Sequence, residues 1–228
     1  MIGLIGAMSV EVNAIKAMVL SPETKTIGGV EFVRGTIGSY EVVVAQCGIG
    51  KVFAGICAQT MILCFGVEAI INVGVAGTLS DKVGLLELAI ATEVVEHDMD
   101  TSPLGDPVGM ISGINIVKIP AAKSLVEKIT AAAKTTGIPY ACGAIASGDQ
   151  FIADKGKKLW IRDTFDAIAC EMEGAAIGQV SYVNGVDFAV IRAISDNADD
   201  AAGALDYPTL CERAAKQTQS LIKTLFSV

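Results

Sequence analysis

Short apolar runs alternate with longer helical patterns along the whole chain of 228 residues. The runs are rich in β-branched residues and are bounded by Gly or charged residues, which is typical of buried strands. The predicted strands are MIGLIGA, EFVRGTI, EVVVAQC, EAIINVGVA, LELAIATEVV, ACGAIASG, DAIACEM and DFAVIRAIS, and the predicted helices begin near Ser9 and Gly50 and cover about 121–136, 154–164, 171–184 and 207–226. This alternation predicts one α/β domain over residues 1–228, a three-layer α/β/α arrangement with a mixed, mostly parallel central sheet.

The composition agrees with a sheet that is covered by helices on both faces. Hydrophobic residues make up 52% of the chain and charged residues 18%, a balance expected when parallel strands are fully buried. Every apolar run is broken well before the roughly 18 to 20 residues that a membrane-spanning helix needs. The N-terminal run has no basic segment before it and is interpreted as a strand rather than a signal peptide. We therefore expect a cytoplasmic protein with no membrane association.

The charge and the cysteine pattern exclude other classes of partner. The formal net charge is −8 and the 17 basic residues form no dense run, which disfavours nucleic acid because phosphate neutralisation requires clustered Lys and Arg. The six cysteines show no CxxC spacing and only one histidine is present, so we expect buried free thiols and no metal site or disulfide. A small molecule is the expected partner.

Ionisable residues lie where predicted strands end. The segments concerned are 6–12, 72–79, 147–152, 170–176 and the end of DFAVIRAISD, and they carry Glu11, Glu171, Glu173 and Asp196. Ligands of open α/β sheets bind beyond the carboxyl ends of the strands. Carboxyl groups in a partly apolar pocket can differ in pKa, so that one acts as a general acid while another stays ionised, as the cleavage of a glycosidic bond requires. The Pro- and Gly-rich loop 98–113 is long enough to be functional as well.

Each carboxylate also has a structural explanation. An acidic residue in the first turn of a helix, such as Glu11, is favoured by the helix dipole, and Glu171 or Glu173 suits the cap of the next helix. Asp196 begins an acidic segment that itself suits a cap. The glycine-rich CGIGKV at 47–52 precedes a helix but matches neither phosphate-binding consensus, and we assign no nucleotide phosphate to it.

Taken together, the motifs identify a family resemblance. IGAMSVEV, CGIGKV, INVGVAG, EHDMD, SGDQFI, CEMEGAA and RAISDNAD resemble, in order and nearly end to end, the nucleosidases that hydrolyse 5′-methylthioadenosine and S-adenosylhomocysteine within the nucleoside phosphorylase superfamily. The resemblance implies a hydrolase that releases adenine and a 5-thioribose product without a cofactor.

The resemblance also implies roles for individual residues. Asp196 is similar to the general acid that protonates adenine at N7, Glu11 to the base that activates water, and Glu173 to the residue that holds the ribose hydroxyls. The remaining contacts that it implies are base stacking by Phe151, recognition of the adenine edge by the backbone of Ile152, packing under the ribose by Met172, and support of Glu173 or the water by Arg192.

The same family completes its 5′-alkylthio pocket with a neighbouring subunit. Ile49 and Tyr207 match the wall from the same chain, whereas Thr101 and Leu104 match positions that reach across a homodimer. Phosphorolytic relatives generally carry an arginine and a serine in the glycine-rich turn, where this chain has Asn72 and Val75. The resemblance therefore implies hydrolysis rather than phosphorolysis, since those groups would hold a phosphate.

The sequence alone does not exclude three other functions. The first is hydrolysis of 6-amino-6-deoxyfutalosine in menaquinone synthesis, and the second is a purine nucleoside phosphorylase activity. The third is a nucleoside-binding protein without catalysis, which would need Phe151 but not the acid and base pair of Asp196 and Glu11.

Overall fold

The computed structural model describes residues 1–198 and 207–227, with only the backbone of Tyr207. The described strands are β1 (Ile2–Gly6), β2 (Leu20–Ile27), β3 (Val30–Ile37), β4 (Tyr40–Gln46), β5 (Ala69–Thr78), β6 (Leu88–Glu96), β7 (Lys118–Pro120), β8 (Tyr140–Ser147), β9 (Ala167–Glu171) and β10 (Asp187–Asp196). The described helices are α1 (Ser9–Lys16), α2 (Lys51–Phe65), α3 (Lys123–Thr136), α4 (Lys155–Phe165), α5 (Gly174–Asn184) and α6 (Tyr207–Leu225), with a short 3₁₀ turn at Ser102–Leu104.

The strands form one mixed sheet that closes on itself at one end. Its order is β10-β6-β8-β9-β5-β1-β4-β3-β2, with β7 on β6, and β10 also pairs with β5. Strands β1, β5 and β10 are parallel to one another, as are β6, β8 and β9, whereas β10 with β6 and β5 with β9 are antiparallel. The mixed sheet and the predicted β3–β4 hairpin are confirmed.

Helices cover both faces of the sheet, which confirms the predicted three-layer arrangement. On one face, α1, α3 and α6 bury Val12, Ile15, Ile129 and Leu221 against strand residues such as Ile71. On the other face, α2 and α5 pack against the opposite side chains of β1, β4 and β5. A Cβ on Gly178 of α5 would lie 2.7 Å from Val94 Cγ2 and 2.9 Å from Phe188 Cε2, so this glycine permits the close approach of the helix.

Some features differ from the predictions. The sequence patterns do not predict β2, because nearly all of its side chains are exposed and it therefore lacks the alternation that marks a half-buried strand. The patterns also do not predict that β10 pairs with β5 and closes part of the sheet into a ring, because the periodicity of a strand does not specify its pairing partners. The expectation of buried cysteines is wrong for Cys64 and Cys142, which are exposed, while the other four are buried.

No helix in the described parts of the chain combines the length and apolarity needed to cross a membrane.

Candidate active site

The carboxyl ends of β5, β9 and β10 meet because of the way these strands are paired. Antiparallel β5 and β9 overlap only at their ends, where Gly77 lies opposite Cys170. Parallel β10 places Asp196 opposite Gly77 after an irregularity in register between Ile194 and Asp196. A Cβ on Gly77 would lie 2.7 Å from Asp196 Oδ1, so glycine at this position leaves room for the carboxyl group. Strand pairing alone therefore brings Asp196 to the point where two oppositely directed strands end.

A cavity of about 110 Å³ opens at this point. Nine of the residues predicted for the site contribute to its wall: Glu11, Ile49, Val75, Phe151, Ile152, Met172, Glu173, Arg192 and Asp196. The fold therefore brings predicted residues from six separate segments of the chain to one cavity.

Asp196 is buried and its orientation is set by two hydrogen bonds. The Ser195 hydroxyl donates to Oδ2 at 2.9 Å, and the Ala198 N–H donates to Oδ1 at 2.8 Å. Ala198 adopts a positive φ of 50°, a conformation that costs free energy for a residue other than glycine. The turn after β10 thus holds the Asp196 carboxyl group in the cavity wall rather than in solvent.

Glu11 is buried in the first turn of α1 and serves as its cap. Its Oε2 accepts hydrogen bonds from the N–H groups of Ala7 and Met8, both at 2.8 Å, and its Oε1 accepts from Val75 at 3.1 Å. Burial raises the pKa of Glu11, against the lowering effects of Arg192 and these backbone groups. The structural role considered from the sequence is therefore real, and it holds the carboxylate in the cavity wall.

Glu171 and Glu173 flank the start of α5 and have different partners. Glu171 accepts hydrogen bonds from the N–H groups of Glu173 at 2.9 Å and Gly174 at 2.8 Å, so it is the residue that caps this helix. It also accepts from the Ser147 hydroxyl and pairs with Arg192. Glu173 instead accepts from the Gly50 N–H at 2.9 Å, which ties it to the glycine-rich loop before α2.

Arg192 lies between the carboxylates and is only 1% exposed. Its Nη2 is paired with Glu171, lies 3.4 Å from Glu173 Oε2 and donates to the Asn72 side chain, while Nη1 donates to the Val75 carbonyl at 3.3 Å. Burial by itself would lower its pKa, but the neighbouring glutamates outweigh burial and raise it. One guanidinium thus compensates several buried carboxylates.

Burial beside Arg192 and Glu171 raises the pKa of Glu173. Burial is the largest cause, Arg192 opposes it, the negative charge of Glu171 adds to it, and the resulting pKa is about 7. Two carboxylates sharing one cation at close range cannot both be fully compensated. Glu173 therefore exchanges its proton near neutral pH.

The apolar wall is less enclosed than the polar one. Phe151 is 56% and Ile49 is 55% exposed at the mouth of the cavity, whereas Ile152 is buried. The flat ring of Phe151 at an open mouth suits the stacking of a planar ligand. Val75 contributes to the wall, but Asn72 does not line the cavity, because its amide donates to the Ile5 carbonyl beneath it.

Three predicted residues do not contribute to the described cavity wall. Thr101 hydrogen-bonds to Asp106 Oδ2 at 2.7 Å within loop 98–113, and Leu104 is 84% exposed. Tyr207 begins α6, but its side chain lies outside the described residues. Conversely, the sequence reasoning did not assign Met8, Gln150, Cys170 and Ser195, which also line the cavity. Each of them lies close in sequence to an assigned residue at a strand end, and this proximity could have been used to predict them.

The chain belongs to the phosphorylase superfamily, whose family model matches residues 1–227. The 5′-methylthioadenosine/S-adenosylhomocysteine nucleosidase of Shewanella halifaxensis is 38% identical over 200 residues, which cover 87% of each chain. The chain belongs to this nucleosidase family.

Solved structures support the same relationship. A nucleosidase of this name from Neisseria meningitidis, in complex with methylthio-immucillin-A, superposes with a TM-score of 0.95 at 29% identity and covers 99% of this chain and 98% of that one. The futalosine hydrolase of Helicobacter pylori superposes with a TM-score of 0.92 at 34% identity over 98% of this chain and 96% of that one.

The raised pKa of Glu173 predicts a pH-dependent cost in stability. Its folded pKa of about 7 exceeds the ordinary value of 4.5, so its contribution is most favourable below pH 4.5 and is lost as the pH rises to about 7. We expect the difference in free energy of unfolding between Glu173→Gln and the unmodified protein to shift in favour of the variant by roughly 1–3 kcal/mol between pH 4.5 and pH 8. Urea denaturation at both pH values measures it, and a difference that does not change with pH would contradict the assignment.

Proposed function

We propose that the chain hydrolyses the N-glycosidic bond of 5′-methylthioadenosine and S-adenosylhomocysteine, releasing adenine and the 5-thioribose product. The observation that carries the proposal is that Asp196, Glu11 and Glu173 line one cavity together with Phe151. Membership of the nucleosidase family and the presence of both an acid and a base candidate support the same reaction.

Asp196 is the proposed general acid. Cleavage of the bond between C1′ and N9 leaves the bonding electrons on adenine, and a proton delivered to N7 makes neutral adenine the leaving group. The hydrogen bonds from Ser195 and Ala198 hold the Asp196 carboxyl group at a fixed angle in the cavity wall. A protonated Asp196 can therefore donate its proton to N7 without a rearrangement of the turn.

Glu11 is the proposed base. As positive charge develops at C1′, a water molecule attacks this carbon and loses one proton to the Glu11 carboxylate. The raised pKa of Glu11 suits this role, because burial makes the carboxylate a stronger base than one in water. Arg192, fixed by its paired glutamates, supports the orientation of Glu173 and the water.

The remaining wall residues fit the two halves of the nucleoside. Glu173 accepts hydrogen bonds from the ribose hydroxyls, and Met172 packs beneath the sugar. Phe151 stacks on adenine, and the backbone of Ile152 reads the edge of the base. The 5′ substituent leaves the cavity at its open side, where Ile49 lies. Tyr207 is proposed to line the same side.

Hydrolysis is favoured over phosphorolysis by the charges of the cavity. Arg192 is the one cationic side chain among the described residues that line it, and its guanidinium is already engaged by Glu171, Glu173 and Asn72. A phosphate dianion would meet repulsion from the several buried carboxylates that already share this single cation. Val75 offers no hydroxyl either, so a neutral water molecule is the better nucleophile.

A second substrate has a specific observation in its favour. The Helicobacter pylori protein that superposes over nearly the whole chain is a futalosine hydrolase. Hydrolysis of 6-amino-6-deoxyfutalosine breaks the same type of bond to adenine, so the same residues would serve it. The 5′ side of the cavity, where Ile49 is half exposed, decides between the substrates.

A homodimer is the proposed assembly. The paired helices α2 and α5 expose a group of large apolar side chains, which are Val52, Phe53, Ile56, Leu63, Tyr182 and Val183. Contiguous exposed apolar surface of this kind marks a protein interface. In the proposed dimer, Thr101 and Leu104 of loop 98–113 contribute to the 5′ side of the partner's cavity.

Asp196→Asn is expected to reduce turnover of 5′-methylthioadenosine by at least about 100-fold, because asparagine cannot supply the proton. Adenine release measures the rate, and thermal unfolding confirms that the variant folds. Asp187→Asn is the matched control, since Asp187 is exposed at the opposite end of the same strand, and it should be unchanged. Near-normal turnover in Asp196→Asn would refute the assignment of the general acid.

Initial rates in phosphate-free buffer test the reaction type and the substrate. We expect adenine release from 5′-methylthioadenosine, S-adenosylhomocysteine or aminodeoxyfutalosine without phosphate, and no acceleration when phosphate is added. A rate that requires phosphate would establish a phosphorylase instead. Tight binding of an adenosine analogue with no adenine release over hours would establish a nucleoside-binding protein without catalysis.

Val52→Asp is expected to dissociate the dimer, because Val52 is 70% exposed on α2 and a buried unpaired carboxylate at an interface is costly. Light scattering coupled to size exclusion measures the mass. Leu20→Asp is the control, since Leu20 is 63% exposed but lies on the edge strand β2. A monomeric unmodified protein, or an unchanged dimer in Val52→Asp, would contradict the proposed interface.

A further inference from the structure

A cluster of one cation and two aspartates joins three loops beside the cavity. The Lys51 ammonium lies 2.7 Å from Asp98 Oδ1, and the Lys51 N–H donates to Asp149 Oδ1 at 2.8 Å. Asp98 closes the cluster, because its Oδ2 accepts from the Asp149 N–H at 2.8 Å. Lys51 also lies 3.1 Å from Glu96 Oε2 at the end of β6. None of these contacts belongs to the proton transfers described above.

Lys51, Asp149 and Asp98 each lie next to a different part of the site. Lys51 follows Gly50, whose N–H holds Glu173 at 2.9 Å. Asp149 precedes Phe151 by two residues, in the segment that forms the apolar mouth of the cavity. Asp98 begins loop 98–113. The cluster therefore connects the ribose side, the adenine side and the long loop through the main-chain N–H and the ammonium group of one lysine.

The cluster is sufficiently buried for its ion pairs to matter. The side chains of Lys51, Glu96 and Asp98 are 19%, 8% and 20% exposed, so these charges are screened less than those of a surface pair. Burial alone would lower the pKa of Lys51, but its hydrogen bond to Asp98 and the charge of Glu96 outweigh burial and raise it. The lysine is therefore charged throughout the range in which an enzyme of this kind is assayed.

The backbone conformation of Gly50, immediately before Lys51, permits the contact with Asp149. Gly50 has a φ of +103°, and a Cβ there would lie 3.0 Å from Asp149 Oδ1. A side chain at this position would be strained and would approach the Asp149 carboxylate. The same glycine thus permits the hydrogen bond to Glu173 on one side and the approach of Asp149 on the other.

We infer that Lys51 is a positioning residue that sets the distance between the ribose-holding Glu173 and the adenine-stacking Phe151. The inference rests on the proposed function for its catalytic consequence, but the bracing of three loops is independent of the substrate. Cleavage requires the sugar and the base to be held at a fixed relative position, and small errors in position reduce the rate strongly. The Lys51 side chain acts through Asp98, whose Oδ2 accepts from the Asp149 N–H, and it has no contact with the reacting atoms.

Hydrogen–deuterium exchange on Lys51→Met tests the bracing without any substrate. We expect faster exchange at 47–51, 97–100 and 147–152 together, and no change in the core strand β5. Lys118→Met is the matched control, because Lys118 forms an equally short pair of 2.7 Å with Glu93 away from the cavity, and these three segments should not respond to it. Exchange that changes only next to residue 51, or not at all, would overturn the inference.

Kinetics test the positioning role. In Lys51→Met we expect kcat/KM to fall at least about tenfold, and Lys51→Arg to recover most of this loss because it restores the charge. Asp98→Asn combined with Lys51→Met should cost less than the sum of the two single changes, because both remove the same brace. Additive effects, or a Lys51→Arg variant as impaired as Lys51→Met, would refute the role.

The outcomes separate this inference from the proposed function. If the unmodified protein releases no adenine from any of the three nucleosides, the proposed function fails, whereas the exchange experiment still decides whether Lys51 braces the loops. If the unmodified protein is active and Lys51→Met keeps full activity, the positioning role fails and the proposed function stands.

Discussion

The buried guanidinium of Arg192 is the interaction on which the site depends. Glu171 and Glu173 both pair with it, and Glu11 is close enough to affect its pKa. Removing a carboxylate from water is costly unless a charge or several hydrogen bonds compensate it, so three glutamates could not share this region without the cation. Because Arg192 lies in the middle of β10, the strand that supplies the cation also ends in Asp196. Strand β10 thus both compensates the buried carboxylates and places the proposed acid.

Backbone N–H groups supply the rest of the compensation. Glu11 caps α1, Glu171 caps α5, and Glu173 and Asp149 accept from the first residues around the start of α2. Helix N-termini are the usual places where proteins bind phosphate. Here the protein's own carboxylates occupy them, which is consistent with a site that uses water as its nucleophile.

Much of the fold follows from local patterns, because burial on both faces leaves continuous apolar strands and covered helices leave a 3.6-residue period. The strands that the sequence did not predict are those to which this reasoning does not apply. Strand β2 is exposed along nearly its whole length and is held by backbone pairing with β3, and β7 has only three residues. The closed ring of β5, β9, β8, β6 and β10 depends on long-range pairing, for which a single sequence carries no local signal.

The sequence by itself determined which residue types stand at the strand ends, and the motif order connected Asp196, Glu11 and Glu173 to one family. Those choices are local, because each residue follows a strand or begins a helix. Only the tertiary structure decided that Glu171 rather than Glu173 caps α5, that Asn72 lies beneath the cavity, and that Lys51 joins three loops. The physical reason is that hydrogen-bond partners, burial and the resulting pKa values depend on groups far apart in the chain. Their distances exist only once the strands are paired.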